Sequence, residues 1–195
     1  TIFDLSWILD QIYNHKLESI AIETLNIPVS YTRETQVGEN DYSKALELER
    51  LTKIIDNEVD PQNITFAQVN YFLEVAKLTK ELEKPVMETQ GLFERSIRVS
   101  KKFGTHQQIL DAHYEYAWGA HFWLEDFGLF EENLVKVYEC LLETTSTNKW
   151  EKLLNLLTVH RSYVKTSGTS ASIDIDDIFS STVSKLQEIA ADETR

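Results

Sequence analysis

The sequence predicts an all-α fold in which antiparallel helix hairpins stack against one another. Few residues break helices, since the 195-residue chain has only 6 glycines and 3 prolines. Apolar side chains recur at steps of three and four along most of the chain, as they do on one face of an α-helix. Two segments near the middle also share one hairpin pattern, and repetition of a helix pair is typical of helical arrays.

The N-terminal part of the chain contains two short amphipathic runs. Residues 5–12 and residues 17–25 each carry apolar side chains on one helix face, and an Asn-x-Pro sequence ends the second run. Residues 27–41 are polar and have no pattern, so we predict the longest loop of the chain there, either as a crossover or as part of a binding face. Asp41 or Ser43 is then expected to cap a third helix.

The two helices that follow open with a shared signal. Thr65 is followed by Gln68, and Thr105 by Gln108. This is the spacing of a capping box, in which each of the two side chains accepts a hydrogen bond from the other residue's backbone N–H. The spacing therefore predicts helices that start just after Thr65 and just after Thr105.

Each of these helices is followed by a corner and a second helix. Pro85 is expected in the first turn of one second helix, and Gly104 is expected to close that helix in the left-handed conformation. Gly128 is expected to form the other corner, before an apolar stripe over residues 130–142. Two apolar helices joined by so few residues pack antiparallel.

The two hairpins align with each other without a gap. Residues 67–98 align with residues 112–143, an offset of 45 positions. Identities are few, such as Tyr71 with Tyr116, but the apolar positions agree more widely. Any two amphipathic hairpins would align in a similar way, and that alternative stays open beside an internal repeat.

Four segments carry a family resemblance: residues 71–85, 91–97, 120–128 and 137–143. They resemble tetratricopeptide repeats of the longer, kinesin-light-chain-like kind. Phe93 and Tyr138 match the aromatic residue of that family's second helix, whereas Thr89 and Leu134 stand where alanine is usual. Residues 127–142 are also similar to the half-a-tetratricopeptide repeats of RNA-processing scaffolds. The resemblance implies a short right-handed solenoid whose first helices line a concave face.

The end of the chain is predicted to form two more helices. One starts at Trp150 and reaches Val164. Residues 165–172 are rich in Ser, Thr and Gly and are expected to form a flexible link. Residues 173–195 are expected to form a last helix, which either caps the array or docks on another chain. The predicted organisation is thus an array over residues 1–164, a link and a C-terminal helix.

The composition argues against two classes of binding partner. A formal net charge of −13 and a pI near 4.8 argue against nucleic acid and against an anionic membrane surface as the main ligand. A single cysteine, Cys140, rules out a disulfide within the chain, and its helical position favours an inert buried thiol. With no signal peptide and no apolar run of membrane length, we expect a cytoplasmic or nuclear protein.

The sequence shows no arrangement that would support catalysis or metal binding. His106, His113 and His121 fall on one predicted helix, but the last two are about two turns apart and cannot share one metal ion. No Glu-x-x-His pair, His-Glu-x-x-His motif or glycine-rich phosphate loop occurs. We therefore predict no catalytic residue, no metal and no cofactor.

Two groups of residues are candidates for partner binding. Aromatic residues are dense between positions 114 and 130, either because this is an interior helix or because they line a groove, with Trp118 and Phe122 as anchors. Arg95, Arg98 and Lys102 form a basic stripe on one helix, together with a lysine between them. The stripe is either paired with nearby glutamates or binds an acidic segment of a partner.

The family resemblance adds positions on the concave face. In tetratricopeptide arrays the first helices line that face, which here implies contacts from Asn70, Glu74, Glu115 and Gly119. We accordingly expect a scaffold or adaptor that holds a peptide or a partner helix on the face of the array. A subunit of an RNA-processing or translation assembly is the first alternative. An all-helical enzyme or metalloprotein is the second.

Overall fold

The computed structural model describes residues 33–142, 144, 146–168 and 172–193. Every regular element within these residues is an α-helix, which confirms the predicted all-α class. The helices predicted over residues 5–12 and 17–25 lie outside the described part. The chain divides into two compact units, Thr1–Leu46 and Glu47–Arg195, and the described residues of the first unit belong to the start of one helix.

The helices of the described part are α1 (Arg33–Asn57), α2 (Phe66–Glu81), α3 (Val86–Phe103), α4 (His106–Phe122), α5 (Phe127–Leu141), α6 (Thr147–Ser167) and α7 (Ile175–Glu193). The last six of these lie entirely within the second unit. The sites described below all belong to that unit.

The start of α1 differs from the prediction. The sequence predicts a loop over residues 27–41 and a helix capped by Asp41 or Ser43. That prediction is wrong from Arg33 onwards, because the chain is helical from that residue. Arg, Glu and Gln, which are frequent here, have a high intrinsic helix propensity and need no apolar stripe to form a helix. Apolar periodicity therefore does not detect the start of α1.

Both capping boxes are present. At the start of α2, the Gln68 N–H donates to Thr65 Oγ1 at 3.4 Å and the Thr65 N–H donates to Gln68 Oε1 at 2.9 Å. At the start of α4, Gln108 and Thr105 make the same pair of bonds at 3.3 and 2.8 Å. Each box satisfies N–H groups that the helix itself leaves without an acceptor.

The corners of the two hairpins are formed by glutamates, not by glycine. Glu83 has φ 53° and Glu125 has φ 52°, so both adopt the left-handed backbone conformation. Gly128, predicted as a corner residue, lies instead in the first turn of α5. Asp126 caps α5, because its side chain accepts a hydrogen bond from the Leu129 N–H at 2.9 Å.

Gly104 ends α3 for a different reason from the one predicted. Its backbone is extended, with φ −91° and ψ 179°, and is not left-handed. A Cβ at this position would stand 2.7 Å from the carbonyl oxygen of Ser100 and 3.0 Å from its Cα. These are backbone atoms that cannot turn aside, so close approach requires the glycine. Pro85 lies one position before the predicted place, as the N-cap of α3.

The link predicted over residues 165–172 starts later than expected. The helix α6 continues to Ser167, and Gly168 ends it with φ 67°. Glycine adopts this left-handed conformation without steric cost, so it is a common residue just after a helix. The short polar side chains of this stretch suggested a loop, but their helix propensity is only modestly unfavourable.

The helices from α2 to α7 each pack against the next helix in sequence, and α2 also contacts α4, as α4 contacts α6. In the first turn of α4, Gln108 donates from Nε2 to the Phe66 carbonyl at 2.6 Å and to Asn70 Oδ1 at 2.7 Å. Lys152 near the start of α6 binds Asp111 near the start of α4 at 2.8 Å. Because their early turns lie together, α2, α4 and α6 run side by side in the same direction.

Burial repeats along these helices at a spacing of 41 positions. The buried residues of α2 correspond to buried residues of α4 as Val69 to Leu110, Phe72 to His113, Val75 to Tyr116, Ala76 to Ala117 and Thr79 to Ala120. Those of α3 correspond to α5 as Thr89 to Phe130, Phe93 to Leu134, Ser96 to Val137 and Ser100 to Leu141. At a spacing of 40, the same residues of α4 correspond to Trp150, Leu153, Leu156, Leu157 and His160 of α6.

The sequence alignment at an offset of 45 is therefore one helical turn out of register. A shift of four residues rotates a helix by little more than a full turn, because a turn takes 3.6 residues. Apolar stripes match almost equally well at both offsets, so periodicity alone does not distinguish them. The capping boxes do, because Thr65 and Thr105 open corresponding helices 40 positions apart.

Candidate functional site

A groove of about 200 Å³ lies beside α2, α4 and α6. Three residues predicted to face a partner, Asn70, Glu74 and Glu115, line it together. The other charged and amide side chains in its lining are those of Lys77, Gln108, Asp111 and Lys152. We refer to this groove as the polar groove.

One end of the polar groove is fixed by amide side chains. Asn70 is exposed, but its Oδ1 accepts a hydrogen bond from Gln108, which also holds the start of α2. The Asn70 side chain therefore helps to join α2 to α4. The Nδ2 donors and the second lone pair of Oδ1 remain for contact with a partner.

The charged side chains of the polar groove form two ion pairs, and a third carboxylate, that of Glu115, lies beside them. Lys77 binds Glu74 at 2.9 Å and Lys152 binds Asp111 at 2.8 Å. Burial disfavours the ammonium form of Lys77, but the hydrogen bond that it donates to Glu74 and the charges of the nearby carboxylates outweigh burial, so the pKa of Lys77 is raised. Within the described part of the chain, Glu115 has no ion pair, and the charges of the groove sum to a net negative value.

An aromatic strip continues along α4 from the polar groove. Trp118 and Phe122 lie three and seven positions after Glu115, which places all three on one face of the helix. The Trp118 and Phe122 rings stack at 5.3 Å, and Tyr114 meets Trp118 edge to face at 6.0 Å. Phe122 is 64 % exposed, so a large apolar surface lies open to solvent at the end of the strip.

The basic stripe lies on α3 and is not part of the polar groove. Arg95 lies over the Phe72 ring at 4.9 Å and lines a separate crevice of about 140 Å³. Arg98 is 3.8 Å from the Glu94 carboxylate on its own helix. Lys102 lies over the Phe103 ring at 4.6 Å. Each of these cations thus has a neighbour within the chain, while all three side chains stay exposed to solvent.

Sequence reasoning missed Asp111 and Lys152 as groove residues. Asn70 and Asp111 are 41 positions apart and occupy equivalent places on α2 and α4. Glu74 and Glu115 are equivalent in the same way. The sequence alignment at an offset of 45 instead pairs Asn70 with Glu115 and therefore overlooks Asp111. Lys152 comes to the groove through the packing of α6 against α4.

Buried polar pairs between helices were not predicted either. Glu131 on α5 and His160 on α6 are both almost fully buried, with Glu131 Oε1 and His160 Nε2 2.7 Å apart. Glu131 also accepts hydrogen bonds from the backbone N–H and the hydroxyl of Ser172. His113 Nδ1 is 2.8 Å from Asn133 Oδ1, and burial lowers the pKa of this histidine. These pairs join helices and lie away from the polar groove.

The described residues contain no group of His, Cys, Asp or Glu side chains that would hold a metal ion. Burial raises the pKa of Cys140, which disfavours the reactive thiolate. No helix of the described part is both long and apolar enough to cross a membrane.

Neither a family model, nor a curated protein, nor a solved structure matches the chain. The polar groove and the Phe122 ring beside it present charged side chains and an exposed apolar ring.

Proposed function

We propose that this chain is a protein–protein interaction module that holds a peptide or a helix of a partner against α2 and α4. The observation that carries the proposal is the exposed ring of Phe122, which stacks on the half-buried ring of Trp118 on the same helix face as the Glu115 carboxylate. Tryptophan and tyrosine are enriched among the residues that contribute most to binding at protein interfaces. A ring that is exposed in the free protein gains hydrophobic stabilisation when a partner covers it.

Charge favours a partner segment that is neutral or basic at the polar groove. The groove has three carboxylates against two ammonium groups, and the whole chain carries a net charge of −13. Charge complementarity of this kind mainly sets orientation and the rate of association. An acidic segment would instead be directed to α3, where Arg95, Arg98 and Lys102 remain our candidates for a second contact.

The proposed array is of the tetratricopeptide-like type, as a short right-handed solenoid. Its support is the recurrence of buried positions at 41 residues and the side-by-side arrangement of α2, α4 and α6. This repeat is longer than the 34 residues of an ordinary tetratricopeptide repeat. That agrees with a resemblance to the longer kind. Membership of an RNA-processing or translation assembly, and a cytoplasmic or nuclear location, stay predictions from the sequence.

The test is comparative capture of partners from extracts of cells that express the protein, followed by mass spectrometry. The informative variant is Phe122→Ala, and its matched control is Phe66→Ala, because Phe66 is 67 % exposed but lies outside the groove lining and the strip. We expect a set of proteins that binds the wild type and Phe66→Ala but is lost with Phe122→Ala. Equal capture by all three chains contradicts the proposal.

A further inference from the structure

A second pocket lies where the ends of α4 and α6 meet the corner before α5. It has a volume of about 210 Å³ and is lined by His121, Glu125, Phe127 and Tyr163. None of these residues lines the polar groove. We refer to it as the aromatic pocket, since three of its four lining side chains are rings.

The rings that line the aromatic pocket lie in two orientations. Tyr163 and Phe127 stack with their centroids 4.4 Å apart and their planes 27° apart. The His121 ring is 5.3 Å from Tyr163 and nearly perpendicular to it, at 85°. Behind them Phe130 is fully buried, 5.1 Å from His121 and 5.8 Å from Phe127, which fixes the walls against the core.

The only charged group in the lining is negative. Glu125 is exposed and has no ion pair within the described residues. Burial lowers the pKa of His121, which disfavours the charged imidazolium that would repel a cation. The guanidinium of Arg161, two residues before Tyr163, is occupied elsewhere, 4.6 Å from the Phe179 ring and 3.7 Å from Asp176.

We propose that the aromatic pocket binds an alkylated ammonium group. Ring faces attract such cations through their quadrupoles, and a carboxylate at the rim adds Coulomb attraction. Several aromatic walls around one space are the arrangement that proteins use for choline and for methylated lysine. The volume is several times the ~30 Å³ that one water molecule occupies in the liquid, which leaves room for the methyl groups.

The first hairpin contains the same corner without the rings. Glu83 has φ 53° and Glu125 has φ 52°, so the two side chains extend from backbone of the same left-handed conformation. At 41 positions before His121 and Phe127 stand Lys80 and Val86. The strained corner therefore belongs to both hairpins, whereas the cation-binding features belong to the second alone. Glu83→Gln is accordingly a matched control for Glu125→Gln.

The experiment is a titration of the purified chain, followed by ¹H–¹⁵N NMR, with choline and with its uncharged carbon analogue 3,3-dimethylbutan-1-ol. Saturable shifts at the end of α4 and the start of α5 are expected with choline. The analogue, which lacks the charge, should bind about tenfold more weakly. A peptide with trimethyllysine, set against the same peptide with unmodified lysine, distinguishes a modified partner from a free small amine as the source of the ammonium group.

Three variants complete the test. Glu125→Gln should weaken choline binding several-fold and Glu83→Gln should leave it unchanged. Phe127→Leu, which keeps an apolar side chain but removes the ring, should also weaken binding while the NMR spectrum stays that of a folded chain. Equal binding of choline and its analogue overturns the proposal. So does equal loss in the two glutamine variants, or an absence of shifts at this end of α4.

Discussion

The hairpins α2–α3 and α4–α5 have the same set of equivalent buried positions, which we call the frame, but different side chains occupy these positions. At three equivalent positions of the second helix the residues are small and polar in one hairpin and large and apolar in the other: Thr89, Ser96 and Ser100 against Phe130, Val137 and Leu141. All six side chains are buried. Burial at these positions therefore follows from their place in the hairpin and not from the chemistry of the side chain.

The same comparison separates structural from binding features. The stack of Trp118 with the exposed ring of Phe122 belongs to the second hairpin, while at 41 positions before these residues stand Lys77 and Glu81. The first hairpin thus has charged residues where the second has rings. Trp118 packs partly against the core, whereas the Phe122 ring is exposed and is not needed for the shared pattern of burial. This difference directs the binding proposals to α4.

The largest difference between the hairpins is expected at a buried carboxylate. Glu131 is buried against His160, whereas Gln90, its equivalent 41 positions earlier, is only half-buried. We expect Glu131→Ala to lower the free energy of unfolding by about 3–5 kcal/mol, because it leaves a buried partner without its counterpart. Gln90→Ala should change it by about 0.5 kcal/mol or less. Urea denaturation of both variants measures the difference, and similar small losses would show that the pair is not structurally important.

A smaller effect is expected from exchanging side-chain size within the frame. Ser96 is fully buried and its hydroxyl donates to the Phe93 carbonyl at 2.8 Å. Ser96→Val gives α3 the residue that α5 has at Val137, and it should overpack the first hairpin at a cost of about 1–3 kcal/mol. Thermal unfolding measures this, with Ser96→Ala as the control for loss of the hydroxyl. A stabilised valine variant would show that the first hairpin has unfilled space.

Two glycines of the first hairpin should respond in opposite directions. A Cβ at Gly104 meets the backbone of Ser100 at 2.7 Å, whereas one at Gly91 meets nothing within 4 Å. Gly104→Ala should destabilise the chain by about 1 kcal/mol, and Gly91→Ala should stabilise it by about 0.5–1 kcal/mol because alanine is the better helix former. Denaturation curves of both variants measure these changes in the free energy of unfolding. A change of the same sign in both variants would contradict the close approach at Gly104.

The histidine that replaces Phe72 in the second hairpin should make stability depend on pH. Burial lowers the pKa of His113 below its value of 6.5 in the unfolded chain, so the unfolded state takes up the proton first. Protonation of this histidine therefore costs no stability above about pH 6.5. The free energy of unfolding falls as the pH is lowered from there towards the pKa of His113 in the folded state. His113→Phe should reduce this slope between pH 7 and pH 5, as measured by melting temperature. His121 contributes with the same sign, and an unchanged slope in the variant would assign the effect to other groups.

Helix type and helix starts follow from local sequence, which explains what could be predicted. The capping boxes at Thr65 and Thr105 depend on residues three positions apart, and both are present. The start of α1 could not be found from apolar spacing, because its first turns have no apolar stripe. The register of the repeat could not be found from periodicity, because one helical turn changes the pattern very little.

The site was predicted only in part, because its contacts join distant residues. Asn70, Glu74 and Glu115 do line one groove, and Trp118 and Phe122 do stack beside it. The pair of Lys152 with Asp111 spans 41 positions and depends on the packing of α6 against α4. Arg95, Arg98 and Lys102 share a helix face in the sequence, but α3 places them apart from the groove. Helical spacing identifies a face, and tertiary packing decides which faces meet.

The central claim is that the principal partner segment, which is neutral or basic, binds the groove side of α4, and that the basic stripe of α3 is reserved for a second, acidic segment. Hydrogen–deuterium exchange of the chain, with and without the partner segment identified by capture, measures this directly. We predict added protection around Glu115 to Phe122 and in the facing part of α2, with no change around Arg95 and Arg98. Protection confined to α3, with α4 unchanged, would contradict the account.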